Sequence, residues 1–266
     1  MQARLHIFSN ESAKEPCLEA SPNPDETLQY VYPLRVILVG ETLFLLRSCD
    51  GFEEMCRRLK EQNDFRSAFY ELRAAKRMFQ RGFDIHMRPE TKIKGEDFDF
   101  TASRGSMEIN VEVTALKEKE FYHQTALNAL NTKRDQLAKD KPAIIFCMLP
   151  RQWESSNVNL NEYTDNLAAE FLRGTQRINV IVFEIERRIN ASANQASGGM
   201  YVISKPIFNK NPRHSADLGF FFEGWPSVSD RITLDDSIRN MRNVPELEKR
   251  ARTSEFYRWV DYLAPE

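Results

Sequence analysis

Apolar and polar residues alternate strictly over Met107–Ala115. Met107, Ile109, Val111, Val113 and Ala115 fall on one side of a strand there, and Glu108, Asn110, Glu112 and Thr114 on the other. The preceding segment, Lys94-Gly95-Glu96-Asp97-Phe98-Asp99-Phe100, carries the same signature, with Phe98, Phe100 and Ala102 opposed to Asp97, Asp99 and Thr101. The polar linker Ser103-Arg104-Gly105-Ser106 is short enough to make the two segments an antiparallel hairpin, so acids on neighbouring strands meet on one face.

Around this hairpin the pattern predicts alternating elements. Residues 10–30, rich in Ser, Pro, Asn and Glu, read as a loose lead-in, followed by apolar strands at Leu34–Val39 and Thr42–Leu46 and a short helix over Phe52–Glu61. A longer helix starts at the N-cap candidates Asn63 or Asp64 and runs to Arg81, with Gly82 ending it and Phe83–Met87 following as a strand. After the hairpin, a helix is expected over Lys117–Asp140, with Phe121, Ala126, Leu127, Leu130 and Leu137 at helical spacing. Ala143–Leu149 is apolar throughout, as a strand covered on both faces would be. A helix at Leu160–Arg173, a buried strand at Ile178–Glu186, a strand at Met200–Ile207 and a charged helix near Val244–Leu263 complete the reading. The α-β-β-β-α-β-α-β order implies an α/β fold with a mixed central sheet flanked by helices. Its expected divisions are 1–62, packed on the core, 63–210, the core itself, and 211–266, a C-terminal extension.

Composition narrows the function classes. The 266 residues are 41% hydrophobic and 29% charged, which suits one well-packed core and excludes a disordered or fibrous chain. A net charge of −2 gives no global attraction to nucleic acid, so any such binding needs a local basic patch. No apolar run approaches a membrane span and Met1–Ala20 has no signal-like apolar region, so a cytoplasmic location is expected. Cys17, Cys49, Cys56 and Cys147 form no CxxC pair and the four histidines are scattered, which argues against zinc or a disulfide framework. There is no Walker loop, no Gly-x-Gly-x-x-Gly and no Gly-x-Ser-x-Gly.

The hairpin acids carry the candidate chemistry. Carboxylates that close repel unless a cation sits between them, and hard oxygen ligands of this kind suit Mg²⁺ or Mn²⁺. A solvated sheet face would alternate Glu, Asn and Thr equally well, but helices on both sides of the sheet would cover it. Lys133 falls on the same helical stripe as Ala126, Leu130 and Leu137, so it either faces the sheet or runs its stem along that stripe to water. Glu71, among Ser67, Ala68, Ala74, Ala75 and Met78, needs a partner, either in the acidic site or a lysine of it, or in an arginine or a capping amide of the core. Arg66, Arg73, Arg77 and Arg81 recur along the same helix as a basic stripe, the sort of surface that binds phosphate backbones, or else a wet helix face.

With Glu71 on the first core helix, Asp99 or Asp97 in Gly-Glu-Asp-Phe-Asp-Phe, Glu112 in Val-Glu-Val-Thr, and Lys133 and Gln136 in Asn-Thr-Lys-Arg-Asp-Gln-Leu, residues 63–185 resemble the PD-(D/E)XK, or restriction-endonuclease-like, nuclease superfamily. The resemblance implies an αβββαβ core, divalent metal held by Asp99 and Glu112 with Asp97 beside them, and hydrolysis of phosphodiester bonds, with DNA as the expected partner. It also implies a lysine two residues after the glutamate, where this chain has Thr114, so Lys133 or Lys117 would have to supply the positive charge. Gln136 and Lys117 join the four arginines as expected nucleic-acid contacts. The alternative is a catalytically inactive module of the same fold that binds nucleic acid or protein. A homodimer is compatible with either reading.

Overall fold

A computed structural model describes residues 39–61, 64–89, 91, 93, 95–116, 122–150, 153, 159–189 and 199–222, without the side chains of 65, 66, 187–189, 199–201 and 220. Helix α1 occupies 39–46, α2 Phe52–Arg58 and α3 Phe65–Gln80. Strands β1 (Asp84–Met87), β2 (Phe100–Arg104) and β3 (Met107–Ala115) precede α4 (His123–Gln136), β4 (Ala143–Met148) and α5 (Leu160–Arg173). β5 (Val180–Ile189), β6 (Gly199–Phe208) and the single turn α6 (Gly219–Phe222) follow. The chain is therefore α/β, built on a six-stranded sheet whose spatial order equals its sequence order.

The sheet is mixed. β1–β2, β2–β3 and β5–β6 are antiparallel hairpins, whereas β3, β4 and β5 are parallel and joined by α4 and α5 as crossovers. Strand parity sorts the core into two layers. Ile109, Val111 and Val113, Ile144, Phe146 and Met148, and Val180 and Val182 face α1, α2, α3 and α6. Ala143, Ile145, Cys147, Ile181 and Phe183 face α4 and α5. Burial on both faces is why β4 reads as an unbroken apolar run.

Several expectations change here. Residues 42–46 are helical, not a strand: Val39 and Leu46 pack into the first core layer alongside α2 and α3, and that helical packing outweighs the β-propensity of a short apolar run. The first strand of the acidic hairpin begins only at Phe100, so Asp97 and Asp99 precede it. The turn is also tighter than the four-residue linker expected, since Arg104 pairs directly with Met107 across Gly105-Ser106. As a result Phe98 does not share a face with Phe100 and Ala102; it joins the α4–α5 layer while they join the α3 layer. Asp64 precedes α3 as foreseen, but its side chain makes no cap bond. Residues 34–38 of the expected first strand, the lead-in 10–30, the helix start 117–121 and the charged helix near 244–263 lie outside the described residues. No helix among the described residues is long and apolar enough to cross a membrane.

Candidate functional site

β3 pairs with β2 on one side only up to Val111, opposite Phe100, while on the other side it continues along β4 to Ala115. One step beyond the last β2 pair, Asp99 lies across from Glu112 and leaves the ladder. Its side-chain Oδ2 accepts the Val113 amide at 2.6 Å, in place of a strand carbonyl. The Asp99 carboxylate is thereby tied to the backbone of the strand that bears Glu112.

Glu112 is fully buried and paired in the ladder with Ile145, on the face covered by α4. Lys133 reaches it from α4, with Nζ 2.5 Å from Oε1 in an approach outside hydrogen-bond geometry, while Oε2 accepts no hydrogen bond among the described residues. Of the two placements open to Lys133, the structure has the one that faces the sheet. Burial pushes the Glu112 carboxyl up to about 7, only partly opposed by the Lys133 charge. Burial likewise raises Asp99 well above the ordinary range, and the Glu112 charge adds to the shift. For Lys133, burial works against its charge, but Glu112 and Asp99 outweigh it and raise its pKa. Lys133 is thus paired with Glu112, and Asp99 is near enough to feel both charges.

Glu71 is 3% exposed and its charge is felt by both Asp99 and Glu112. Its partner is Arg58 of α2, whose Nη1 and Nη2 donate to the two Glu71 oxygens at 2.5 and 2.8 Å. The same guanidinium holds Asp64, with Nε to Oδ2 at 2.5 Å and Nη2 to Oδ1 at 3.1 Å, which accounts for the missing cap bond. Gly51 makes this placement of α2 feasible. Its φ of 77° lies in the left-handed region, and a Cβ there would stand 2.5 Å from the Met87 carbonyl oxygen. Arg58 was missed by sequence reasoning. Its only signal was its place in the last turn of a short helix directly before the helix bearing Glu71.

The remaining candidates scatter. Asp97 lies in the loop before β2 and accepts the Thr91 amide at 2.7 Å, while its charge still adds to the upward shift of Glu112. Thr114 is partly buried on the Glu112 face of β3, opposite Cys147. Gln136, half-buried, has its side-chain oxygen buried without a hydrogen-bond partner among the described residues, and Asn110 its side-chain nitrogen. Arg73 and Arg77 do not form an open basic stripe. Arg73 donates to Glu186 at 2.6 Å, and Arg77 to Glu184 and, at 2.6 Å, to Ser204, all within the layer between α3 and β5–β6. Arg81 is the C-cap of α3 and partly buried. The Arg66 side chain and Lys117 lie outside the described residues, as do Trp225 and Trp259, while Trp153 is buried against Tyr163.

Among the described residues no three His, Cys, Asp or Glu side chains come together as a ready-made metal cage. Two carboxylates nonetheless fit Mg²⁺, which keeps several waters and is commonly held by one or two carboxylates plus substrate phosphate. The unpartnered Glu112 Oε2 is an acceptor of the right chemistry. Comparison with known proteins returns no matching family model, no matching curated protein and no matching solved structure.

Proposed function

We propose that this chain is a metal-dependent nuclease that hydrolyses phosphodiester bonds of nucleic acid, with DNA as the first substrate to test. One observation carries the reading. Asp99 and Glu112 are brought together in desolvated surroundings at the end of the β2–β3 ladder, with Lys133 paired to Glu112, so that ionising both carboxylates would leave an excess of buried negative charge among the described residues. A divalent cation would balance that excess. The order α3-β1-β2-β3-α4-β4 supports grouping the chain with the restriction-endonuclease-like nucleases.

Asp99 and Glu112 would hold the ion. When bound, a divalent ion supplies Lewis acidity toward the phosphate and lowers the pKa of an attacking water. The chain contributes the rest. The Val113 amide fixes Asp99, the parallel β3–β4 pairing fixes Glu112, and the Lys133 ammonium stands where it can offset charge gathering on the phosphate. That role is the one Thr114 cannot fill, because a hydroxyl carries no positive charge.

The test is cleavage of plasmid, linear and single-stranded DNA in Mg²⁺ and Mn²⁺. Cleavage is expected with the wild-type chain and should fall by about 100-fold or more in Asp99→Ala, Glu112→Ala and Lys133→Met, the order seen when one electrostatic contact to the transition state is removed. Wild-type protein that leaves all three substrates intact would overturn the reading. A second reading, a module that binds nucleic acid or protein without cleaving it, is favoured by the direct pairing of Lys133 with Glu112, which partly neutralises a metal ligand. Metal-dependent cleavage lost in Glu112→Ala would remove that second reading.

A further inference from the structure

We propose that Arg58 is a positioning residue that keeps Glu71 out of the metal's ligand shell, so that Asp99 and Glu112 hold a single divalent ion while Glu71 acts on it only through its charge. This deepens the nuclease reading and rests on it. The contrast between two buried glutamates is its basis. Glu112 keeps an oxygen with no hydrogen-bond partner among the described residues, whereas both oxygens of Glu71 are taken by the Arg58 fork at 2.5 and 2.8 Å.

The fork is also anchored elsewhere. Arg58 holds Asp64 at 2.5 and 3.1 Å, so one guanidinium staples α2 to the start of α3 and to the helical turn that carries Glu71. Glu71 is 3% exposed and the Arg58 side chain 20%, so turning Glu71 toward an ion would leave Nη1 of a largely buried guanidinium without its carboxylate and Asp64 as the remaining acid on it. Glu71 nevertheless stands close enough for its charge to raise both Asp99 and Glu112. It is a neighbour of the pair without joining it, and among the described residues no three acids are arranged as a set that could hold a metal ion.

The experiment is a Mn²⁺ titration of the full chain, followed by the electron paramagnetic resonance of free Mn²⁺, for wild type, Glu112→Gln, Glu71→Gln and Arg58→Met. One Mn²⁺ is expected for wild type and weakened binding for Glu112→Gln. Glu71→Gln should keep the stoichiometry and leave affinity within about threefold, as suits a charge that acts without ligation. Arg58→Met should release a carboxylate toward the site, and so raise Mn²⁺ affinity about tenfold, a usual order for coupling between sites, or admit a second ion. If Arg58→Met does not melt cooperatively, Arg58→Lys, which keeps the charge but loses the two-pronged geometry, replaces it. Loss of Mn²⁺ binding in Glu71→Gln would overturn the inference, as would unchanged stoichiometry and affinity in the folded Arg58 variant. A wild-type chain that binds no Mn²⁺ would instead overturn the metal centre itself, and this inference with it.

Discussion

Glu112 and Asp99 both hold their protons more tightly folded than unfolded, which gives the metal-free chain an unusual pH dependence. Glu112 moves from an ordinary 4.5 to about 7, so between those values the folded chain keeps a proton that the unfolded chain has released. Stability contributed below pH 4.5 is therefore lost as the pH climbs through 7. The melting temperature without divalent ions should fall from pH 5 to pH 8, and Glu112→Gln should flatten part of that fall; a wild-type curve level across the range would contradict the buried pair. At this scale much was legible. Alternation pointed to Glu112, and the helical stripe made Lys133 a candidate for facing the sheet; the structure pairs the two. For Asp97 the alternating pattern hid a boundary: it stands before the strand and accepts the Thr91 amide, although its charge still reaches Glu112. Arg58 was invisible because a charged residue closing a short helix resembles any other surface cation.

The arginines of α3 show what periodicity leaves open at the level of elements. Arg73 and Arg77 do share a side of the helix, but the side meets Glu184 and Glu186, which stand on the α3 face of β5 beyond Val180 and Val182. Spacing specifies which residues are neighbours on a helix, not whether the facing strand ends in carboxylates. Removing one member of so enclosed a pair leaves the other uncompensated, so Arg77→Ala should lose about 3–5 kcal/mol in urea denaturation. Arg77→Met combined with Glu184→Met should recover most of that loss, because apolar groups of similar volume can replace a buried ion pair at little cost. A double variant as unstable as the single one would show that the Ser204 contacts with Arg77 and Glu184 dominate instead. The helix at 39–46 was misread for a related reason. Short apolar runs suit strands and buried helices alike, and only the packing of Leu46 with Met55 and Leu59 in one layer decides between them.

For the molecule as a whole, the α-β-β-β-α-β-α-β succession read from the pattern is the succession observed, and the continuous apolar run at Ala143–Met148 is the strand at the middle of the parallel set. Which acids end up side by side depended on where β2 begins, and that boundary is set by the tight turn at Gly105-Ser106 and by the Val113 amide, neither of which hydrophobicity encodes. The Asp99 side chain and the Val113 amide are only 14 positions apart along the chain. A hairpin of that span can close within microseconds, long before the crossover helix that carries Lys133 has a completed sheet to dock on. Two like charges are thus driven together early, at a moment when nothing yet offsets them. Refolding of the metal-free chain should consequently run faster near pH 4, where carboxylates of ordinary pKa 3.8 and 4.5 take up protons and quiet the repulsion, than near pH 8, and stopped-flow fluorescence would register the difference as an electrostatic brake applied at the first step of assembly.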